Sequence, residues 1–342
     1  MSATISTTIA DTMPSLTSLE DATQKTARGT FLYIEPDETA LEAEQRPFFG
    51  LPSAKRTEYH NLAVHDMRTS PSLKTTEGPQ LDIHGFTFTR HTSSLSGDEW
   101  FSQAQITGKY LQEVEALLKA ATGAKKIAFS AVLYRRKLSS KAQAAPYLKS
   151  RRREEDILDP TKTVTDKVLI RSSDIASSDS PFPFVHIDYT KDGTKALATK
   201  SRYDIEDIGS EAMASGARVA AFSVWRPLKT VRRDPLAIMD RRSLDPNDLV
   251  EIRFRMPNGR GEDKKGEFVC GAYNIKPENH ARHMWYWLPE QSPEEVLIIK
   301  FTDSADPDTI STGSPHTCFN LDGTEGILEP RESIEVKCIA FW

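Results

Sequence analysis

One short segment places a histidine and a carboxylate at a spacing that suits a metal ion. His186 and Asp188 lie in residues 183–189, PFVHIDY, which we predict to be a strand. Side chains two residues apart on a strand project from the same face, so both can reach one ion. A second histidine from a distant strand would complete the two-histidine, one-carboxylate set of non-haem Fe(II) oxygenases. The spacing alone is weak evidence, because 8 His and 49 Asp or Glu in 342 residues supply about one such pair by chance.

Three later histidines compete to be the third ligand: His280, His283 and His316. For any one of them, the alternative is an ordinary loop or core histidine. His316 lies in residues 311–319, STGSPHTCF, about 130 residues after the first pair. We favour it because an arginine and a serine that could bind a carboxylate follow it on the next predicted strand.

Those two residues are Arg331 and Ser333, which share one face of a strand. A guanidinium binds a carboxylate through two parallel hydrogen bonds, and a hydroxyl can add a third. The pair therefore suits the far carboxylate of 2-oxoglutarate, although a surface arginine is the alternative. A regular strand would also place Glu335 and Lys337 on this face. Either the polar site extends along the strand or the strand bulges after Ser333, and the sequence leaves both open.

A series of motifs in order resembles the AsaB/CmcJ-type hydroxylase/desaturase family of fungal and bacterial natural-product gene clusters. The likeness covers about residues 60–342. Its motifs are FVHIDYT at 184–190, SVWRPL at 223–228, DPLA at 234–237, WYWLP at 285–289, EVL at 295–297, PHT at 315–317 and RESIEV at 331–336. The resemblance implies that His186, Asp188 and His316 bind Fe(II), with 2-oxoglutarate and O₂ as co-substrates. Arg226 is a second basic candidate for 2-oxoglutarate, with a structural role in its turn as the alternative.

The resemblance further implies an oxidoreductase that attacks an unactivated C–H bond of a small natural-product precursor, such as an amino-acid derivative. Hydroxylation, desaturation and oxidative cyclisation are all open. Tyr134, Ile339 and Phe341 are expected to line the substrate pocket, and plain core positions are the alternative. Two other functions also stay open: a non-catalytic or partner-dependent subunit of a tailoring complex, and a jelly-roll metalloprotein that does not need O₂.

The hydrophobic pattern predicts a mainly β protein with flanking α-helices and a double-stranded β-helix core of the jelly-roll, cupin-like kind. One amphipathic helix should begin at residues 97–99 and end at Gly123. A strand at 126–134 should follow it. After residue 180, short apolar runs alternate with turn residues, as in a β-sandwich or barrel. These runs are 184–189, 219–224, 250–256, 267–273, 284–288, 296–301 and 334–341.

Composition favours a single domain over residues 30–342, preceded by a flexible tail at 1–29 and interrupted by a polar insert at about 138–165. The net charge of -5 argues against nucleic acid as a partner, and no apolar run is long enough to span a membrane. Three widely spaced cysteines suit buried free thiols in a reducing compartment. We therefore expect a cytosolic enzyme, a small-molecule substrate and a possible homodimer.

Overall fold

The computed structural model describes residues 26–36, 54–73, 78, 80–139, 168–171, 178–201, 204–257, 267–307 and 313–342. Within them, two β-sheets of nine and six strands dominate. The strands are β1 (Thr26–Pro36), β2 (Ala54–Asp66), β3 (Phe86–Arg90), β4 (Lys126–Arg135), β5 (Leu169–Arg171), β6 (His186–Ile187), β7 (Val219–Pro227), β8 (Leu236–Met239), β9 (Leu249–Pro257), β10 (Glu267–Ile275), β11 (Trp285–Trp287), β12 (Glu295–Asp303), β13 (His316–Cys318), β14 (Asn320–Leu321) and β15 (Ser333–Phe341).

The sheets enclose the main hydrophobic core. The larger sheet runs in the order β14-β1-β2-β11-β8-β13-β6-β10-β9, and the smaller one in the order β3-β12-β7-β15-β4-β5. Alternate residues of β15 face opposite ways: Ile339 and Phe341 pack between the sheets, whereas Cys338 and Ala340 belong to a second core on the outer side. The curled double sheet is a jelly roll, which confirms the predicted fold class.

A long helical segment covers the outer face of the smaller sheet. Residues Gly97–Phe101 form a short 3₁₀ helix, and helix continues from Gln103–Gln105 through a π-helical turn at Ile106–Tyr110 into α1 (Leu111–Thr122). Gly123 ends α1 in the left-handed conformation, with a φ of 73°, as a glycine C-cap does. The predicted start and end are therefore right, although a break at Ser102 divides the segment.

Two helices directly after the His-x-Asp motif were not predicted. They are α2 (Lys191–Lys200) and α3 (Asp204–Ser215). Thr190 caps α2, since its Oγ1 accepts a hydrogen bond of 2.9 Å from the Gly193 amide. Gly193 lies so close to Gly271 of β10 that a Cβ would collide with that backbone. The helix is thus fixed against the sheet that carries the motif.

Only some of the residues at the predicted domain limits fall within the part of the chain that the structure describes. Residues 26–29 of the expected tail belong to β1, which pairs with β2 from Thr26↔His65 onward, so this part of the predicted tail is a strand. Residues 1–25 and nearly all of the predicted insert lie outside the described residues. All three cysteines are buried and free, as expected. No helix in the described ranges has the length and hydropathy needed to cross a membrane.

Candidate active site

The larger sheet brings His186, Asp188 and His316 together. His186 lies on β6 and His316 on β13, where the two residues are direct partners in an antiparallel ladder. Asp188 follows β6, and the ligand atoms of all three side chains lie within 4.8 Å of one another. One Asp188 oxygen, Oδ1, is 3.5 Å from His186 Nε2, and the other, Oδ2, is 3.5 Å from His316 Nε2. Three potential metal donors therefore converge on one point.

The ring nitrogens are oriented for metal binding. His186 Nδ1 lies 2.7 Å from the Phe184 carbonyl, and His316 Nδ1 lies 3.3 Å from the Ser314 carbonyl. When Nδ1 carries the proton and donates it to a carbonyl, Nε2 is left with its lone pair facing the centre. Second-sphere hydrogen bonds of this kind fix the tautomer and the ring orientation of metal-binding histidines.

Electrostatics favour the protonation states that a metal requires. Burial lowers the pKa of His186, and the neighbouring His316 lowers it further, so the ring is neutral. Burial alone would raise the pKa of Asp188, but Lys337 and the two histidines hold it well below its usual range. Oδ2 of this carboxylate is buried with no hydrogen-bond partner among the described residues. A neutral His186 ring, an ionised carboxylate and an orphaned oxygen are what a divalent cation would satisfy.

A second group of unsatisfied polar atoms lies in the same region. Arg331 is buried, and its Nη1 donates a hydrogen bond of 2.6 Å to the Asp234 carbonyl. Its Nε, like Ser333 Oγ, is buried without a hydrogen-bond partner in the described part of the chain. The guanidinium carbon lies 5.2 Å from the centroid of the Trp225 ring. A carboxylate would supply the missing acceptors.

The triad and Arg331 line one cavity. Glu335 and Lys337 line it too, so the polar face of β15 extends beyond Ser333, which is one of the two possibilities that the sequence left open. The other lining residues are Arg135, Phe182, Trp225, Leu236, Ile299, Thr317 and Cys318. The cavity thus combines the metal donors with cationic groups and an aromatic and aliphatic wall.

Arg226 does not belong to this cavity. It precedes Pro227 on β7 but points to the opposite face from Trp225. Its guanidinium donates to the carbonyls of His91 and Pro293, at 2.9 and 2.7 Å, and to Tyr110 Oη at 3.2 Å. The structure therefore corrects its assignment to 2-oxoglutarate: Arg226 ties the smaller sheet to the helical layer.

The three expected substrate residues are also placed in the cores. Tyr134 packs in the outer core, and its hydroxyl donates to the Trp100 carbonyl at 2.6 Å. Ile339 and Phe341 pack between the sheets but do not line the cavity. All three residues lie on strands next to the site, as predicted, but their side chains pack in the hydrophobic cores. We therefore correct the assignment of all three.

The competing histidines are engaged elsewhere. His283 Nδ1 lies 2.8 Å from Tyr33 Oη, and its Nε2 lies 3.6 Å from Asp248. His280 Nδ1 lies 2.8 Å from the Pro277 carbonyl. Neither belongs to the triad, which is the one group of at least three potential metal ligands within the described residues.

Comparison with known proteins places this site in an enzyme family. A family model described as "Oxidoreductase/YMDC permease-like domain" matches residues 31–341. The sequence is 28% identical over 326 residues to the "Gibberellin cluster GA4 desaturase" of Gibberella fujikuroi, covering 86% of this chain and 91% of that protein. It is 36% identical over 128 residues to the "Hydroxylase/desaturase asaB" of Aspergillus flavus, covering 36% of this chain and 56% of that one.

A third relative has a sequence match and a related solved structure. The "Fe(II)/2-oxoglutarate-dependent dioxygenase nvfI" of Aspergillus novofumigatus is 27% identical over 321 residues, covering 91% of this chain and 95% of the relative. A structure of the "iron and alpha-ketoglutarate-dependent endoperoxidase NvfI" superposes with a TM-score of 0.65 at 23% identity, over 92% of this chain and 98% of the other. The structural match shows a shared fold. Together the sequence relatives confirm the resemblance to the hydroxylase/desaturase family.

Proposed function

The chain belongs to the oxidoreductase/YMDC permease-like domain family, and we propose that His186, Asp188 and His316 hold Fe(II) in this member of it. Its relatives include Fe(II)/2-oxoglutarate-dependent dioxygenases and hydroxylase/desaturases, and the protein is an oxidoreductase of that kind acting on a small molecule. The observation that carries the ligand assignment is the convergence of the three donor atoms within 4.8 Å. The orphaned oxygen of Asp188 supports it independently.

We further propose that Arg331 and Ser333 bind the far carboxylate of 2-oxoglutarate. Arg331 is held at one end by the Asp234 carbonyl, which leaves its Nε available for an acceptor. A charge-assisted bond from a buried guanidinium is about twice as strong as a neutral one, so it can fix the orientation of the co-substrate. The ring of Trp225 lies beside the guanidinium, with its centroid 5.2 Å from the guanidinium carbon.

The bound iron supplies the chemistry that activates O₂ toward a C–H bond. The chain supplies the arrangement around it. The Phe184 and Ser314 carbonyls hold the two imidazoles by their Nδ1 atoms, and the ring of Phe182 packs edge-on against His186 with centroids 4.6 Å apart. These contacts keep Nε2 of both rings on the cavity and exclude water from behind the site.

The substrate is a small natural-product precursor that is hydroxylated, desaturated or cyclised. The names of the relatives include a desaturase and an endoperoxidase, so the outcome differs between members. Phe182, Trp225, Leu236 and Ile299 form the apolar part of the cavity wall and are the residues that would contact the substrate. A cytosolic location and a homodimer stay predictions.

Turnover of 2-oxoglutarate tests this function. Purified protein with Fe(II), 2-oxoglutarate and O₂ should release succinate, and addition of the correct precursor should increase the rate. Asp188→Ala should abolish succinate release, because it removes one ligand and leaves two histidines. Succinate release without a second protein would exclude the alternative that this protein is a partner-dependent subunit. A reaction on substrate that proceeds without O₂ and 2-oxoglutarate would contradict the proposal.

A further inference from the structure

A lysine lies inside the metal cavity. The side chain of Lys337 is 12% exposed, and its Nζ lies 2.6 Å from Asp188 Oδ1. A positive charge beside a metal ligand repels the cation that the ligand binds, so such a lysine opposes metal affinity. An apolar side chain of similar length would fill the same space without this repulsion. The position of Lys337 therefore points to a role other than strengthening metal binding.

The two oxygens of Asp188 have different surroundings. Oδ1 forms an ion pair with Lys337, whose Nζ lies 2.6 Å away. Oδ2 is buried with no hydrogen-bond partner among the described residues, and it lies 3.5 Å from His316 Nε2. An oxygen already bound to an ammonium is the poorer metal donor. Oδ2 is therefore the oxygen available to a cation.

Several contacts fix Lys337 in this position. Its Nζ lies 5.5 Å from the ring centroid of Tyr189 and 5.8 Å from that of Phe301, within the range of cation–π attraction. Phe301 in turn stacks on His316. The strand shifts register against β4 between Lys337 and Cys338. Glu335 Oε1 is the other carboxylate oxygen facing Nζ, but at 4.0 Å it is much more distant than Asp188.

We propose that Lys337 is a positioning residue that occupies Oδ1 of Asp188, so that the carboxylate binds iron through Oδ2 alone. A carboxylate that used both oxygens would take an additional coordination position. Three protein donor atoms leave three positions of an octahedral ion open, whereas four would leave two. Lys337 thereby preserves the open positions that 2-oxoglutarate and O₂ require. This inference rests on the proposed function.

Counting bound waters on Mn(II) tests the inference without turnover. The metal-free protein is loaded with Mn(II) as a substitute for Fe(II). Broadening of the Mn(II) EPR lines by isotopically labelled water then gives the number of inner-sphere waters. We expect three waters in the wild type, two in Lys337→Met and three again in Lys337→Arg, which keeps the positive charge. The methionine variant should bind Mn(II) at least as tightly as the wild type, because a repelling charge is gone.

The outcomes separate this inference from the proposed function. If the wild type binds no Mn(II), or binds it as well after His316→Ala, the iron assignment itself fails. If the wild type shows three waters and Lys337→Met also shows three, only the role of Lys337 is overturned. A methionine variant that binds Mn(II) more weakly with an unchanged number of waters would indicate a packing role and would equally overturn it.

Discussion

Arg226 and Arg331 are both buried arginines of the smaller sheet region, yet their guanidinium groups are satisfied differently. Three protein oxygens accept from Arg226, whereas Arg331 donates to one acceptor among the described residues, the Asp234 carbonyl, and its Nε has no partner there. Sequence alone gave no means to choose between them, because both lie in family-like motifs. The difference arises from which face of its strand each side chain occupies.

Replacing each arginine by glutamine should therefore have different effects. We expect Arg331→Gln to raise the KM for 2-oxoglutarate by about 10- to 100-fold, because a hydrogen bond to a charged group contributes roughly 1.5–3 kcal/mol. Arg226→Gln should lower the melting temperature and leave this KM unchanged. Steady-state kinetics and thermal unfolding of both variants provide the comparison. Equal effects on KM would remove Arg331 from the proposed clamp.

At the residue scale, the convergence of the three proposed metal ligands was predictable, and most of the remaining cavity wall was not. His186 and Asp188 follow from the two-residue period of a strand, and His316 from the order of the motifs. Arg135 ends β4 and Phe182 lies in the loop before β6, and only the fold brings them to the cavity. Tyr134 failed as a prediction because a strand has two faces, and its side chain occupies the outer one.

At the scale of elements, the segment before β13 positions His316. Ser314 donates its hydroxyl to the His84 carbonyl at 2.9 Å, and its amide donates to the Lys300 carbonyl at 3.0 Å. Gly85 passes close to this segment with a φ of 85°, and an added Cβ would collide with Ser314 Oγ. The position thus requires glycine for both its conformation and its space.

Gly85→Ala should consequently weaken metal binding, and Gly97→Ala should not. Gly97 also has a positive φ, but nothing lies within 4 Å of an added Cβ there. Each variant should lose about 1–3 kcal/mol of unfolding free energy through backbone strain. Only Gly85→Ala should also displace the Ser314 segment and reduce Mn(II) affinity, by about tenfold or more. Isothermal titration of the folded variants would measure this, and equal affinities would contradict the role given to the segment.

Elements with a regular pattern were predicted well, and those without one were missed. The strands after residue 180 alternate with clear turn residues, and β7, β12 and β15 appear at the predicted positions. In contrast, α2 and α3 are short and follow directly on the strand that carries the His-x-Asp motif. The clearest start signal of α2 is its N-cap, Thr190. Strand β1 was missed because it begins within a segment rich in serine and threonine.

At the scale of the whole molecule, buried neutral histidines make stability depend on pH. Burial lowers the pKa of His283 to about 4, and it also lowers those of His84, His91 and His186. The unfolded chain takes up protons on these rings below about pH 6.5, while the folded chain does not. The metal-free protein should therefore lose stability as the pH falls from about 6.5 to about 4.

Urea unfolding across this range measures the dependence. His283→Asn should flatten it, because the variant removes a histidine whose pKa burial lowers to about 4. His60→Asn, which changes an exposed histidine, should retain the slope of the wild type. A variant at His283 that keeps the full slope would show that other groups control the acid transition.

The central claim is that His186, Asp188 and His316 bind the iron on which 2-oxoglutarate is held. Anaerobic addition of Fe(II) and 2-oxoglutarate to the metal-free protein tests it most directly, by the visible charge-transfer band at ~500 nm that keto acid chelation of iron produces. We expect the band in the wild type and in His280→Ala, and its loss in His316→Ala. A band that persists in His316→Ala would contradict the account.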